Sequence, residues 1–237
     1  MVQTVDYQSK QQSTHSKAFL SSTELQFQEY YNRHRSNSMC SPEVMYNAYK
    51  SVEYLLNNNI QGDILELGTW KGGVSAVMAE LLANSDSSKR LYVYDTFSGH
   101  PAPLPDEVDI WGNSMLERYN QEISKFGTWA AASKSEVESY LTSIYDHTEV
   151  IQCEVGPETS FENISKISCL RLDMDWYDPT KAALDKLYHM LSTNSIIIID
   201  DYGHHSGAKK AVDEFFAGKL RPFFMNINYS CIAAVIN

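Results

Sequence analysis

The stretch Leu65-Glu66-Leu67-Gly68-Thr69-Trp70-Lys71-Gly72-Gly73 decides the fold. A short apolar run, residues 63–67, reads as a strand and enters a glycine-rich turn. Beyond the turn Val74, Val77, Met78, Leu81 and Leu82 fall on one helical face. Gly68 permits the turn, and Gly72-Gly73 let backbone and ligand approach closely. Upstream, Val44, Ala48, Val52 and Leu55 mark a helix that starts at Pro42 and stops at Asn57-Asn58-Asn59. Downstream, strands are predicted at 91–95, 150–153, 169–172 and 195–199, the last apolar on both faces as in the middle of a parallel sheet. Helices are predicted at 179–191, opened by Pro179, and along Ala208, Ala211, Val212, Phe215 and Phe216. Residues 223–227 and 229–236 read as a closing antiparallel pair. Strands alternating with helices at this spacing define an α/β domain with a mainly parallel sheet.

Two segments stand outside that alternation. Residues 1–22, rich in Gln, Ser and Thr and without period, read as a flexible arm. Residues 96–148 carry Pro101, Pro103 and Pro105, then Trp111-Gly112 and two helices, and read as an insertion over the carboxyl ends of the strands. The resulting division is an N-terminal arm or lid over 1–38 and one catalytic domain over 39–237, with 96–148 as its cover.

Composition narrows the class. The 237 residues are 43% apolar and 21% charged, ordinary for a chain with a buried core. The longest strongly apolar run is only 196–199, far short of the ~20 residues that span a bilayer. The polar first residues argue against a secretory signal. Nineteen basic against thirty acidic residues give a charge of −11, which argues against duplex nucleic acid as a partner. Cys40, Cys153, Cys169 and Cys231 lie far apart with no C-x-x-C pair, fitting reduced thiols in a cytoplasmic protein.

The glycine turn is G-x-x-x-G-G, not the G-x-G-x-x-G of dinucleotide sites. Asp95 ends the next strand, where a carboxylate can accept ribose hydroxyls. Together Glu66, the glycines and Asp95 suit a nucleoside ligand whose other end is not a pyrophosphate, a description that S-adenosylmethionine meets. Alternatively, Gly72 and Gly73 serve close helix–sheet packing and Asp95 caps the following turn.

Two acidic groups end successive strands, Asp173-Met174-Asp175 and Asp200-Asp201. Ligands of open α/β sheets sit outside these strand ends. Four converging carboxylates repel unless a cation or protons lie among them, and hard oxygen ligands favour Mg²⁺. The alternative is that Asp173 and Asp201 only cap following helices, although Asp178 before Pro179 is the better placed cap. His204-His205, next to the second pair, reads either as a solvated loop or as a ligand, base or substrate contact. Trp176-Tyr177 either shapes a substrate pocket or packs in the core.

These motifs, with Asp95-Thr96-Phe97-Ser98-Gly99 and Ala211-Val212-Asp213-Glu214-Phe215, resemble the macrocin O-methyltransferase family over residues 40–217. Its members methylate sugar hydroxyls of antibiotics. The resemblance implies a Rossmann-like class I methyltransferase fold, with a mainly parallel seven-stranded sheet, an antiparallel C-terminal strand and helices on both faces. It implies S-adenosylmethionine as donor, contacted by Met39, Glu66, Gly68, Thr69, Gly73, Asp95, Thr96 and Asp173. It further implies Mg²⁺ held by Asp173, Asp200 and Asp201, and Asp175 as general base, with a histidine near the second metal motif (His204) in that role in some members. Met174 and Trp176 depart from the family's usual glycine and small aliphatic residue, so its substrates do not carry over automatically.

The expectation is therefore an S-adenosylmethionine- and Mg²⁺-dependent O-methyltransferase acting on a sugar or glycosylated natural product. Its partners are that small acceptor and further copies of itself, with neither nucleic acid nor membrane. A catechol-type acceptor, with Trp176 stacking on the ring, and an NAD(P)-dependent oxidoreductase are the alternatives.

Overall fold

The computed structural model describes residues 17–85 and 87–237. The arm expected over 1–22 falls mostly outside these residues. Among the described residues seven strands form one sheet: β1 (Asp63–Leu67), β2 (Leu91–Asp95), β3 (Thr148–Gln152), β4 (Ile167–Leu172), β5 (Leu191–Ile199), β6 (Met225–Asn226) and β7 (Ile232–Val235). Their order is β3-β2-β1-β4-β5-β7-β6. The strands β1 to β5 pair in parallel, while β7 runs antiparallel to both β5 and β6. The order reverses at β1, whose neighbours are β2 and β4, and a crevice opens at their carboxyl ends.

The sheet buries both faces, which is why every residue of β4 is buried, Ser168 and Arg171 included, and the last half of β5 reads as an apolar run. Ile64, Val93, Cys169 and Ile198 face one cluster, shared with the helices Pro42–Asn57 and Gly73–Ala83. Leu65, Tyr94, Leu170 and Ile197 face the other, shared with the helices Tyr177–Leu187 and Ser206–Phe215. The period of two puts Glu66, Arg171 and Asp200 on the first face.

The second half of the expected 1–38 arm, Leu25–His34, is a packed helix with Phe27 and Tyr30 buried. It lies against the Gly73–Ala83 helix, as does the helix Lys134–Ile144. The glycine-turn helix is therefore buried almost all round rather than on one face alone. Lys134–Ile144 is the crossover from β2 to β3, so only the earlier part of 96–148, including the helix Met115–Phe126, is left to reach over the strand ends.

Two boundaries differ from those read in the sequence. The helix expected at 179–191 starts at Tyr177 and ends at Leu187, so Asp178 lies in its first turn instead of capping it. Its amide at Tyr177 is satisfied from outside, by Glu107 Oε1 at 3.0 Å. Strand β5 starts at Leu191, four residues before the expected Ser195, because Leu191 pairs with Ile167 across an irregularity in register. Among the described residues no helix is long and apolar enough to cross a membrane.

Candidate active site

At the top of β1 and β4 a charged pair crosses the sheet: Glu66 is in register with Arg171. Arg171 is 1% exposed and Glu66 fully buried. Arg171 Nη1 donates to Glu66 Oε1 at 2.6 Å. Its Nη2 reaches Asp200 Oδ2 at 2.7 Å, Asp173 Oδ2 at 2.8 Å and the Cys40 thiol at 3.0 Å. Burial opposes the guanidinium charge, but Asp173, Cys40, Glu66 and Asp200 hold its pKa well above the usual value. The other oxygen of Glu66 accepts from Thr69 Oγ1 at 2.8 Å and from Ser75 Oγ. Glu66 is thus committed to holding the glycine turn onto the sheet.

The turn itself follows from close approach. Gly68 has φ +86°, donates its amide to Tyr94 O at 2.8 Å, and a Cβ there would lie 1.8 Å from Asp173 O. Asp95 Oδ2 accepts the amides of Thr69 and Trp70, both at 2.8 Å, and its Oδ1 accepts that of Phe97 at 2.8 Å. The carboxylate shapes the loop, and its Oδ1, which besides the Phe97 amide has only a long contact of 3.5 Å from Thr96 Oγ1, is the oxygen with room for a ligand hydroxyl.

A cavity of about 720 Å³ lies over these strand ends. Met39, Gly68, Thr69, Asp95, Thr96, Asp173, Asp175, Asp200, Asp201 and His204 all line it, so most of the candidate residues come together. Glu66 and Gly73 do not reach its surface and lie behind the wall. Trp176 is 2% exposed, donates Nε1–H to Pro101 O at 3.1 Å and offers no ring face for stacking. Tyr177 points its hydroxyl to Glu214. Of the two readings of this pair, core packing is the one observed for Trp176.

The carboxylates gather in two groups. Asp173 and Asp200 meet Cys40 around Arg171, whereas Asp175, Asp201 and His205 place donor atoms within 4.8 Å of one another. Asp175 and Asp201 both adopt left-handed backbone, at φ 63° and 59°, which aims successive acidic side chains differently from a continuing strand. Burial, with Asp200, Asp175 and Glu66 adding to it against Arg171, pushes the Asp173 carboxyl up to about 7. Burial and then Asp175, Asp200 and Asp173 push Asp201 well above the carboxylate range. Burial would also raise Asp175, but His100, His205 and a hydrogen bond from Asp201 outweigh it and hold Asp175 low. Within this pair Asp201 is the one that holds a proton more tightly and Asp175 the one that releases it more readily. Burial lowers His204 and takes His205 down to about 4, so both rings are neutral near pH 7.

Several lining residues escaped the sequence reading: Cys40, His100, Arg118, Trp129, Glu154 and Tyr229. Arg171 left a signal, a charge inside an apolar strand, which burial obliges to be paired. The others sit in segments without period, and only the fold brings them in.

The strand order, the antiparallel last strands and a cavity at the β1 reversal define a class I methyltransferase fold. The profile of the macrocin-O-methyltransferase (TylF) family matches residues 3–233. The chain belongs to that family of S-adenosylmethionine-dependent O-methyltransferases. It is 28% identical over 186 residues to the demethyldecarbamoylnovobiocin O-methyltransferase of Streptomyces niveus, covering 77% of this chain and 68% of that one. It is 27% identical over 171 residues to the mycinamicin III 3''-O-methyltransferase of Micromonospora griseorubida, covering 70% and 65%. The chain thus spans about two thirds of the length of these relatives. Among solved structures it superposes on the O-methyltransferase NovP with a TM-score of 0.71 at 24% identity, covering 85% of this chain and 82% of that one. The calicheamicin methyltransferase CalS11 gives 0.66 at 15% identity, covering 95% and 91%. At these identities the structural likeness speaks for the fold.

Proposed function

We propose that this chain transfers a methyl group from S-adenosylmethionine to a hydroxyl of a sugar or other small natural product, with a divalent cation, Mg²⁺ by its oxygen-rich donors, assisting. The observation that carries the reading is the meeting of Asp173, Asp175, Asp200 and Asp201 in one cavity with the glycine turn and Asp95. The named relatives, O-methyltransferases of novobiocin and mycinamicin compounds, support the acceptor class.

The residues present fit both groups. The acidic cavity complements a positively charged sulfonium, and its volume lies within the ~300–1,000 Å³ of small-molecule sites. Gly68, Thr69, Asp95, Thr96 and Met39 would hold the donor, Asp95 through its Oδ1. A cation would draw on Asp201, on the oxygens of Asp173 and Asp200 left free by Arg171, and on His205. The crowding of carboxylates that pushes Asp201 upward supports such a charge. When bound, the donor supplies an activated methyl group and the cation supplies positive charge that lowers an acceptor hydroxyl pKa.

Asp175, ionised and lining the cavity, takes the hydroxyl proton, a contribution of typically about 10²–10⁴-fold. The segment leading to the Met115–Phe126 helix runs beside His205, which it meets in a bridge at Asp109. It is pinned to the far side, where Val108 N donates to Ser206 Oγ at 2.8 Å and Ser206 N to Val108 O at 2.9 Å. Glu107 fastens the same segment to Tyr177 N.

The test incubates the chain with S-adenosylmethionine, Mg²⁺ and a panel of glycosylated natural products, free sugars and catechols, and follows S-adenosylhomocysteine release and methylated product by mass spectrometry. Methylation of a glycoside hydroxyl that Asp175→Asn abolishes, with donor binding kept, is the expected result. Donor binding without turnover of any member, or turnover of catechols alone, would count against it.

A further inference from the structure

The geometry points to His100 as the positioning residue of Asp175, an assignment that rests on reading Asp175 as the proton acceptor. His100 stands in the segment after β2, where no motif marks it. Its Nε2 lies 3.4 Å from Asp175 Oδ2, and the two side chains are 19% and 15% exposed. Both line the cavity. The pair stands at ion-pair distance and is not yet aligned as a hydrogen bond, as contacts of catalytic groups commonly are not before substrate closes on them.

The imidazole is fixed before it reaches the carboxylate. Its ring sits edge-on to Trp129 at 5.1 Å and to Trp176 at 5.5 Å, and the two tryptophans pack on each other at 5.8 Å. Its backbone amide donates to Trp129 O at 2.9 Å. Trp176 in turn is tied to Pro101, the residue that follows His100. A ring wedged in this way has little rotamer freedom left to lose when its N–H engages a partner.

Asp175 needs such a partner. Its own backbone is left-handed, and Asp201, which shares its cluster, is claimed by the proposed cation. His205 Nε2 is farther away, at 3.7 Å from the same Oδ2, and also lies 3.9 Å from Asp201. Both imidazoles therefore address Oδ2. A base held by a third group is the arrangement that makes proton transfer directional.

The test uses the full chain with His100→Phe, which keeps a ring between the tryptophans and removes the donor, and His100→Gln, which restores an N–H at similar reach. In ¹⁵N-histidine NMR the His100 signal, identified by its absence from His100→Phe, is expected to show a protonated Nε2 that shifts in Asp175→Asn. A proton on Nδ1 alone, or no response to Asp175→Asn, would overturn the assignment. On an acceptor turned over by the parent, His100→Phe is expected to lower kcat about 10- to 100-fold with donor KM and melting temperature unchanged, and His100→Gln to recover most of it. His100→Gln as slow as His100→Phe, or His100→Phe as fast as the parent, would also overturn it. If no acceptor is turned over at all, the proposed activity fails, while the NMR result still decides whether His100 holds Asp175.

Discussion

Arg171→Met puts the buried charge network to its most direct test. The substitution keeps the apolar volume of the stem and removes the one cation that touches Glu66, Asp173 and Asp200 together. Glu66 is fully buried and would keep only hydroxyl donors, Thr69 and Ser75. Breaking a buried pair on one side costs about 3–5 kcal/mol, because the remaining charge stays uncompensated. For a chain of 237 residues, one kcal/mol moves the melting temperature by about 2–4 °C, so the fall should be roughly 6–20 °C. Thermal unfolding followed by circular dichroism, with EDTA present so that no added ion replaces the guanidinium, measures it. Adding Glu66→Gln should raise the melting temperature again, since a neutral amide can still accept from Thr69 and needs no cation. A single variant that melts within about 2 °C of the parent, or a double variant lower by the sum of both singles, would refute the reasoning.

Three further outcomes follow from the same geometry. Gly68→Ala should abolish S-adenosylhomocysteine binding in calorimetry and destabilise by more than about 1 kcal/mol, because φ +86° and a contact of 1.8 Å with Asp173 O leave no room for a Cβ; a variant that binds as the parent does would contradict this. The folded ion-free chain keeps a proton on Asp173 up to about 7, while the unfolded chain loses it near about 3.9. Asp173 thus contributes stability that is present at low pH and lost as pH rises from about 4 to about 7. His205, held down to about 4, works in the opposite sense between about 6.5 and 4. The melting-temperature difference between the parent and Asp173→Asn isolates the Asp173 slope, and a flat difference curve would refute it. Added Mg²⁺ should raise the melting temperature near pH 7 and release protons, visible as a dependence of the binding heat on the buffer's ionisation enthalpy, because Asp201 must give up its proton to serve as a ligand; EDTA should reverse both effects.

How much was legible in the sequence differs from element to element. Strand 63–67, the glycine turn and the helix after it could be read directly, since period, turn chemistry and length agree there. The onset of β5 differs by four residues because residues 192–194 carry no apolar pattern, and only the folded sheet pairs Leu191 with Ile167 and ties Asn194 N to Ile236 O. The helix at Tyr177 started early because its cap, Glu107, comes from seventy residues away. In the site, the aspartates announced themselves at strand ends, but His100 and Trp129 sit in segments where no local rule operates.

The order of strands and helices, the glycine turn and the placing of four acidic residues at strand tips were thus settled by the linear sequence. Each rests on a repeat or a neighbour relation that adjacent residues carry by themselves. Which carboxylate keeps its proton, which one is neutralised by Arg171 and which histidine reaches Asp175 were decided only in three dimensions. Those properties depend on burial and on charges a few ångströms apart in space but many tens of residues apart along the chain, and no local pattern encodes such distances.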